Sequence, residues 1–175
     1  MKAYLSIIIV AVCCLCGLTS CQERYNPTEE WRRENEKAFA DFASNTDFKT
    51  VTVDGSTAFV YMRYITHGKG TTNPIETSRV ELHYSYAYLA GNKAQIDGNF
   101  DSEKPATVPL NREGADNNCV LGVRIALQNM VVGDETEVII PWYLGYGSKA
   151  TNSVRAYSAL RYHLKLDSII PESAL

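Results

Sequence analysis

Residues 80 to 166 contain several segments with strand-type patterns and only one segment, 121–130, with a strong helix-type pattern. The alternation is clearest in segment 159–166, where every second side chain is apolar: Leu160, Tyr162, Leu164 and Leu166. Segment 80–88 is long and rich in aromatic residues that favour strands. One amphipathic helix can cover one face of an antiparallel sheet. The pattern therefore predicts an α+β domain in which a curved antiparallel sheet wraps around a single helix.

An amphipathic helix precedes these strands. Asn26 has a preferred N-cap residue type, Pro27 fits the first helical position, and Glu29 supplies a negative charge in the first turn. Apolar side chains then recur at helical spacing on one face: Trp31, Ala38, Phe39 and Phe42. We expect this face to dock on the chain's own domain and the protein to be a monomer, with dimerisation through the helix as the alternative.

The segments between this helix and residue 140 carry shorter strand signals. Residues 50–53 and 58–65 flank Asp54-Gly55, which favours a hairpin turn. Short strands are also predicted at 107–110 and 135–140, whereas the polar residues 91–98 are predicted to form a loop.

The N-terminus has the pattern of a targeting segment. Lys2 precedes an apolar run, 5–18, which is too short to span a bilayer comfortably. The run ends in Leu18-Thr19-Ser20-Cys21, which resembles the lipobox of bacterial lipoproteins. That resemblance implies that Cys21 is acylated and anchors the chain to a membrane. An ordinary signal peptide with an incidental Cys21 is the alternative.

These features divide the chain into three parts: a lipoprotein signal peptide at 1–20, a tether and helix at 21–48, and a folded domain with extra N-terminal strands at 49–175. Gln22-Glu23 lacks the Asp that retains lipoproteins elsewhere, so the lipoprotein resemblance favours a periplasm-facing outer-membrane anchor in a bacterial cell envelope.

The charge balance and the cysteine count exclude several classes of function. Lys and Arg number 17 against 20 Asp and Glu, and no basic block occurs, so the chain has no electrostatic footprint for nucleic acid. Beyond Cys21 only Cys119 remains, which leaves no pair for an internal disulfide. The three histidines lack metal-ligand spacing, and we expect neither a metal nor a cofactor.

From residue 80 to residue 169 the chain is similar to FKBP-type peptidyl-prolyl isomerases. The matching motifs occur in the order of that family: His83-Tyr84, Asp97-Gly98, Phe100-Asp101-Ser102, Gly133-Asp134, Ile140-Pro141 and Tyr146-Gly147. Each motif is weak alone, but coincidental matches rarely keep both order and spacing. The resemblance implies a half-barrel fold, with residues 48–70 as extra strands preceding it.

The resemblance also implies roles for individual residues. Tyr84, Phe100 and Tyr162 would form aromatic walls, and Asp101 with the Tyr146 hydroxyl would supply polar contacts at the rim. The remaining contacts to substrate would be apolar and would come from three valines: Val120 under the proline ring, Val123 on the floor and Val154 in an overhanging loop.

Two departures from the family bear on the pocket. Val123 stands where the family usually has Trp, which predicts a deeper and looser pocket, since an aromatic floor buries more area. Tyr86 stands near the family's Gly. Together they predict weak binding of macrolide inhibitors such as tacrolimus.

The function implied by the resemblance is acceleration of X-Pro isomerisation in exported, proline-containing polypeptides. Two alternatives stay open at this point. The domain could bind peptides as a catalytically weak chaperone or assembly factor, or it could be a purely structural envelope lipoprotein.

Overall fold

The computed structural model describes residues 25–111 and 119–170. Its helices are α1 and α2, at Pro27–Ala40 and Leu121–Leu127, with short 3₁₀ turns at Asp41–Ser44 and Trp142–Leu144. The strands, β1 to β7 in chain order, are Lys49–Val51, Val60–Thr66, Arg79–Tyr88, Gln95–Gly98, Ala106–Pro109, Glu135–Ile140 and Leu160–Ile170. The predicted signal peptide and Cys21 lie outside the described residues.

The strands form one antiparallel sheet, which confirms the predicted α+β class. Their order is β1-β2-β6-β7-β3-β4, and β5 also pairs with β3. The long pairing of β3 with β7 runs from Arg79 opposite Ile170 to Tyr88 opposite Leu160. It sets Tyr86 opposite Tyr162, so that their side chains lie on the same face of the sheet.

Helix α2 packs on that face and forms the main core with it. Its residues Val123, Ile125 and Leu127 are buried in one cluster with apolar side chains of β2, β3, β6 and β7. Each fully buried side chain of this type contributes about 1.5–3 kcal/mol. The helix approaches β6 very closely at Gly122, where a Cβ atom would overlap with Cγ2 of Ile140. This contact requires glycine.

Helix α1 packs on the opposite face. The Asn26 side chain accepts a hydrogen bond from the Thr28 N–H at 3.1 Å, as its N-cap position predicts. Phe39 is buried against Tyr61, with ring centroids 5.0 Å apart, and belongs to a second apolar cluster with Ile139. The apolar face of α1 therefore contacts the chain's own sheet.

The structure differs from the sequence prediction in three places. Helix α2 ends at Leu127 rather than at residue 130, and the other two differences concern strands. The segment predicted as a loop at 91–98 contains β4, which pairs with β3 through Tyr86 opposite Asp97 and Ser85 opposite Gly98. The last strand extends to Ile170 rather than ending at 166. An edge strand such as β4 is stabilised mainly by backbone pairing, so it needs little alternation of apolar and polar side chains.

Within residues 25–111 and 119–170, the structure has no helix of sufficient length and apolarity to cross a membrane.

Candidate functional site

Tyrosine side chains from three parts of the chain meet beside α2. Tyr86 contacts each of the others, with ring centroids 6.4 Å from Tyr84, 6.2 Å from Tyr146 and 4.7 Å from Tyr162. We call these four residues the tyrosine cluster. Tyr86 and Tyr162 are buried, whereas Tyr84 and Tyr146 are half-buried. A ligand could therefore reach the cluster from the side of Tyr84 and Tyr146.

The strands explain how the cluster forms. Tyr84 and Tyr86 are two residues apart on β3, and Tyr162 lies on the neighbouring β7, so all three point to the face that α2 covers. Tyr146 comes from the turn after β6, and its hydroxyl donates a hydrogen bond to the Tyr86 hydroxyl at 3.3 Å.

The tyrosine cluster is bordered by the apolar residues predicted from the sequence. Val123 and Val154 are buried in the same core cluster as Tyr86 and Tyr162, and Val120 packs against it. Val120 is the N-cap of α2, a position at which the backbone N–H is not used by the helix. The structure thus brings together six of the eight predicted contact residues: Tyr84, Val120, Val123, Tyr146, Val154 and Tyr162.

Phe100 and Asp101 lie apart from this group. The Phe100 ring packs against two histidines, with centroids 4.3 Å from His163 and 6.0 Å from His83. His83 and His163 alternate with the cluster tyrosines along β3 and β7, so Phe100 lies on the opposite face of the sheet. Asp101 is exposed in the turn that follows. The expected placement of Phe100 as an aromatic wall beside Tyr84 is therefore not observed.

The carboxylate beside the tyrosine cluster is Asp97. Its Oδ2 accepts a hydrogen bond from the Tyr84 hydroxyl at 3.0 Å. The preceding residue, Ile96, packs against the core cluster. Ile96-Asp97 thus supplies the apolar and acidic side chains that the sequence prediction assigned to Phe100-Asp101.

Burial raises the pKa of three hydroxyl groups of the tyrosine cluster, those of Tyr84, Tyr86 and Tyr162. Burial and, to a smaller extent, the hydrogen bond to Asp97 raise the pKa of Tyr84 to about 12. Burial also raises the pKa of Tyr86 and that of Tyr162, with further contributions from Tyr146. The Tyr162 hydroxyl is buried without a hydrogen-bond partner among the described residues. The site therefore offers neutral hydroxyl groups in apolar surroundings, the type of group that orients a bound amide.

The sequence prediction missed Tyr86 and Asp97 as members of the site. Tyr86 could have been found, because strand alternation places it on the same face as Tyr84. Its ring occupies the centre of the tyrosine cluster, and Val123 is only 4% exposed. Val123 therefore lies within the core, whereas its replacement of the family's Trp predicted a deeper and looser pocket at this position.

The described residues hold no group of three or more His, Cys, Asp or Glu side chains arranged to bind a metal ion. Cys119 is half-buried beside the core cluster, and burial raises the pKa of its thiol to about 12. A thiol with a raised pKa is a poor nucleophile at neutral pH.

Comparison with known proteins supports a single family. The family model described as FKBP-type peptidyl-prolyl cis-trans isomerase matches residues 70–167. Over 109 residues the chain is 29% identical to the FKBP-type peptidyl-prolyl cis-trans isomerase FkpA of Aeromonas hydrophila, covering 62% of this chain and 38% of that protein. Over 119 residues it is 29% identical to the FKBP-type 22 kDa peptidyl-prolyl cis-trans isomerase of Escherichia coli K12, covering 67% and 53%. The matched region thus spans only 38% to 53% of these relatives.

Solved structures share the fold. A peptidyl-prolyl cis-trans isomerase from Pseudomonas syringae pv. tomato aligns with a TM-score of 0.65 at 23% identity, covering 84% of this chain and 98% of that one. FkpA from Escherichia coli aligns with a TM-score of 0.68 at 20% identity, covering 85% and 62%. The family model covers more than half of the 175 residues, and the fold agrees with it. The chain therefore belongs to the FKBP-type peptidyl-prolyl cis-trans isomerase family.

Proposed function

We propose that this protein accelerates cis-trans isomerisation of X-Pro bonds in exported polypeptides by stabilising a twisted amide at the tyrosine cluster. The observation that carries the proposal is the meeting of Tyr84, Tyr146 and Tyr162 with the apolar residues at the start of α2. These side chains come from distant parts of the sequence and lie in or against one core cluster, with Tyr84, Val120 and Tyr146 only partly buried.

Isomerisation of an X-Pro bond requires no nucleophile, metal ion or cofactor. Rotation about a peptide bond has a barrier of roughly 18–20 kcal/mol, because conjugation gives the bond partial double-bond character. Halfway through rotation the amide loses that conjugation and much of its dipole. Transfer from water to an apolar site therefore costs less free energy for the twisted amide than for the planar one. Hydrogen bonds suited to the twisted geometry add preferential binding of the transition state.

The residues of the site divide into two groups. Val120, Val123 and Val154 supply the apolar contacts for a proline ring, and the Val120 N–H, which makes no hydrogen bond to another described residue, is offered to a substrate carbonyl. The polar contacts come from the Tyr146 hydroxyl and from Asp97, which holds the Tyr84 hydroxyl in place. We assign to Asp97 the role that the sequence analysis gave to Asp101, because Asp97 faces the tyrosine cluster.

An NMR-exchange assay on an Xaa-Pro peptide, with the full chain as catalyst, tests this proposal. The wild type should accelerate exchange. Loss of one charge-assisted hydrogen bond, about 1.5–3 kcal/mol, corresponds to a decrease in kcat/KM of roughly ten- to hundredfold for Asp97→Ala. Asp101→Ala is the matched control and should stay within about twofold of wild type. Background rates for all three proteins would remove the isomerase proposal. A loss confined to Asp101→Ala would return the role to Asp101.

A second candidate function, peptide binding with little catalysis, is favoured by the position of Tyr86. Its ring fills the centre of the tyrosine cluster, and its hydroxyl already engages the Tyr146 hydroxyl. Chaperone-type binding would appear as protection of an unfolded, proline-containing protein from aggregation without any increase in the exchange rate. Catalysis at a rate well above background would exclude this alternative.

The exported context of the proposal depends on Leu18-Thr19-Ser20-Cys21. Acyl chains on Cys21 would hold the protein at a membrane, since each buried CH₂ contributes about 0.8 kcal/mol. In a bacterial host, the wild type should incorporate labelled fatty acid and sediment with membranes, whereas Cys21→Ser should do neither. Equal labelling of both proteins would contradict the anchor.

A further inference from the structure

Helix α1 lies outside the family match at 70–167, yet it contacts two segments between β6 and β7 that hold or lead to predicted contact residues. One segment is the loop at 151–158, which contains Val154. The other is the 3₁₀ turn Trp142–Leu144, which leads to Tyr146. These contacts are separate from the apolar packing of Phe39 on Tyr61.

Trp31 of α1 makes two specific contacts with the second half of the loop. Its Nε1–H donates a hydrogen bond to Ser158 Oγ at 3.1 Å, and this contact is buried. The guanidinium carbon of Arg155 lies 4.2 Å from the centre of the Trp31 ring, within the range of a cation–π interaction. Ser158 Oγ in turn donates to the Arg155 carbonyl at 2.8 Å. The second half of the loop is therefore fixed to one tryptophan.

Asn35, one turn further along α1, fixes the end of the loop. This side chain is fully buried. Its Oδ1 accepts a hydrogen bond from the Ala159 N–H at 2.8 Å, and its Nδ2 donates to the Trp31 carbonyl at 2.8 Å. A buried amide with both ends satisfied is worth more than a surface contact, because removing it leaves the Ala159 N–H unpaired.

Tyr88 holds the first half of the loop and itself packs on α1. Its ring contacts Trp31 edge to face, with centroids 5.7 Å apart. The Tyr88 hydroxyl donates to the Ser153 carbonyl and accepts from the Arg155 N–H, both at 3.2 Å. Val154 lies between these two bonded residues and is 2% exposed. Its position thus depends on Tyr88 and, through the ring contact, on Trp31.

The segment leading to Tyr146 is attached to the same helix. Glu36 accepts a hydrogen bond from Trp142 Nε1 at 3.1 Å. The guanidinium of Arg32 lies over the rings of Trp142 and Tyr157, 5.4 and 5.3 Å from their centres. The Tyr157 N–H donates to the Gly147 carbonyl at 2.9 Å, which links the loop to the residue after Tyr146.

From these contacts we infer that α1 positions Val154, chiefly through Trp31 and Asn35, and Tyr146, through Arg32 and Glu36, at the proposed peptide site. Trp31 and Asn35 are positioning residues and do not touch the substrate. The inference rests on the proposed function, because it assigns α1 a task in the same site.

The test compares Trp31→Leu with Phe42→Leu in the full chain. Leu at position 31 removes the hydrogen bond to Ser158 and both ring contacts. Phe42 anchors the end of the helical segment by packing on Phe48 and Tyr61, whose ring centroids lie 4.9 and 6.3 Å away. Neither of these partners belongs to the loop at 151–158. Phe42 is therefore the matched control for general loosening of the helix. Trp31→Phe keeps an aromatic ring and should therefore retain part of the amide protection and of the kcat/KM that Trp31→Leu loses.

Two measurements give separate answers. The first is hydrogen exchange of the Ala159 and Tyr157 amides, measured relative to the Leu164 amide in the middle of β7. In Trp31→Leu this relative protection should fall on the order of tenfold. In Phe42→Leu it should not fall. In the isomerase assay, Trp31→Leu should raise KM for an Xaa-Pro peptide and lower kcat/KM on the order of tenfold, because displaced contact groups weaken binding. Phe42→Leu should stay within about twofold.

An equal loss of amide protection in both variants, or an equal decrease in kcat/KM in both, would overturn the inference. The substitutions would then act only through general destabilisation. If the wild type does not catalyse isomerisation, the proposed function fails while the exchange measurement still decides the positioning role. In that case KM is replaced by the Kd of the Xaa-Pro peptide.

Discussion

The rings of Tyr86 and Tyr162 lie nearly parallel, with centroids 4.7 Å apart and 13° between their planes. They stand opposite each other on β3 and β7, and both are buried. A stacked aromatic pair contributes about 0.5–1.5 kcal/mol beyond the area that it buries. Tyr86 therefore stabilises the centre of the sheet and occupies the middle of the tyrosine cluster.

The hydroxyl contact between Tyr86 and Tyr146 should be measurable as a coupling energy. We expect Tyr86→Phe and Tyr146→Phe each to lower the free energy of unfolding by about 1 kcal/mol, because each removes one partner of the same hydrogen bond. The double variant should lose less than the sum of the two. Urea denaturation of the three variants and the wild type measures the coupling. Strict additivity would show that the hydroxyl groups do not interact in solution.

The strands that carry Tyr84 and Tyr162 could be predicted because their alternation is strong and one face is buried. Helix α2 was equally clear, since Val123 and Leu127 recur at helical spacing. The order of the family motifs then selected six residues that lie in or against one core cluster, while their role as contact residues stays a prediction.

The position of Asp97 could not be predicted from local sequence. Both Asp97 and Asp101 lie in a polar segment, and the choice between them depends on the register of β4 against β3, where Tyr86 pairs with Asp97. That register is set by backbone hydrogen bonds and by a single apolar residue, Ile96. The motif Phe100-Asp101-Ser102 matches the family more strongly than Ile96-Asp97 does, so the sequence favours Asp101 as the carboxylate of the site. Asn35 was missed for a related reason, because a buried polar residue is recognised only once its partner, the Ala159 N–H, is known.

Alkaline pH should destabilise the protein through the tyrosine cluster. The pKa of Tyr84 is raised from 10.0 to about 12 by burial and by Asp97. The unfolded state therefore releases this proton at lower pH than the folded state. The stabilisation is complete below pH 10.0 and is lost as the pH rises towards about 12. Urea denaturation at pH values on both sides of 10.0 should show this decline, and the decline should be shallower for Tyr84→Phe. Parallel pH profiles for both proteins would contradict the assignment.

Cys119 should be unreactive in the folded protein. Burial raises the pKa of its thiol to about 12, so little thiolate is present near neutral pH. We expect alkylation by iodoacetamide to be slow in the native state and fast in urea, as measured by mass spectrometry of the full chain. Cys119→Ala distinguishes modification of this residue from that of the four cysteines at 13, 14, 16 and 21. Rapid native alkylation at Cys119 would show that the thiol is open to solvent.

The close approach of α2 to β6 predicts that Gly122→Ala destabilises the fold, although alanine is the better helix former by about 1 kcal/mol. The new Cβ would overlap with Cγ2 of Ile140 and would lie 3.0 Å from its Cγ1 and Cδ1. Overpacking of this kind costs about 1–3 kcal/mol, which exceeds the gain in propensity. We therefore expect a lower free energy of unfolding in urea.

Ile140→Ala provides the control, because it removes all three Ile140 atoms that the new Cβ would meet. Alone it should cost about 2–5 kcal/mol through the cavity that it creates in the core. Added to Gly122→Ala it should cost less, since the methyl group introduced on the helix then occupies part of that cavity. Additive losses would show that the helix moves away from β6 instead. In that case Val120 and Val123 would move with it, and isomerase activity should fall together with stability.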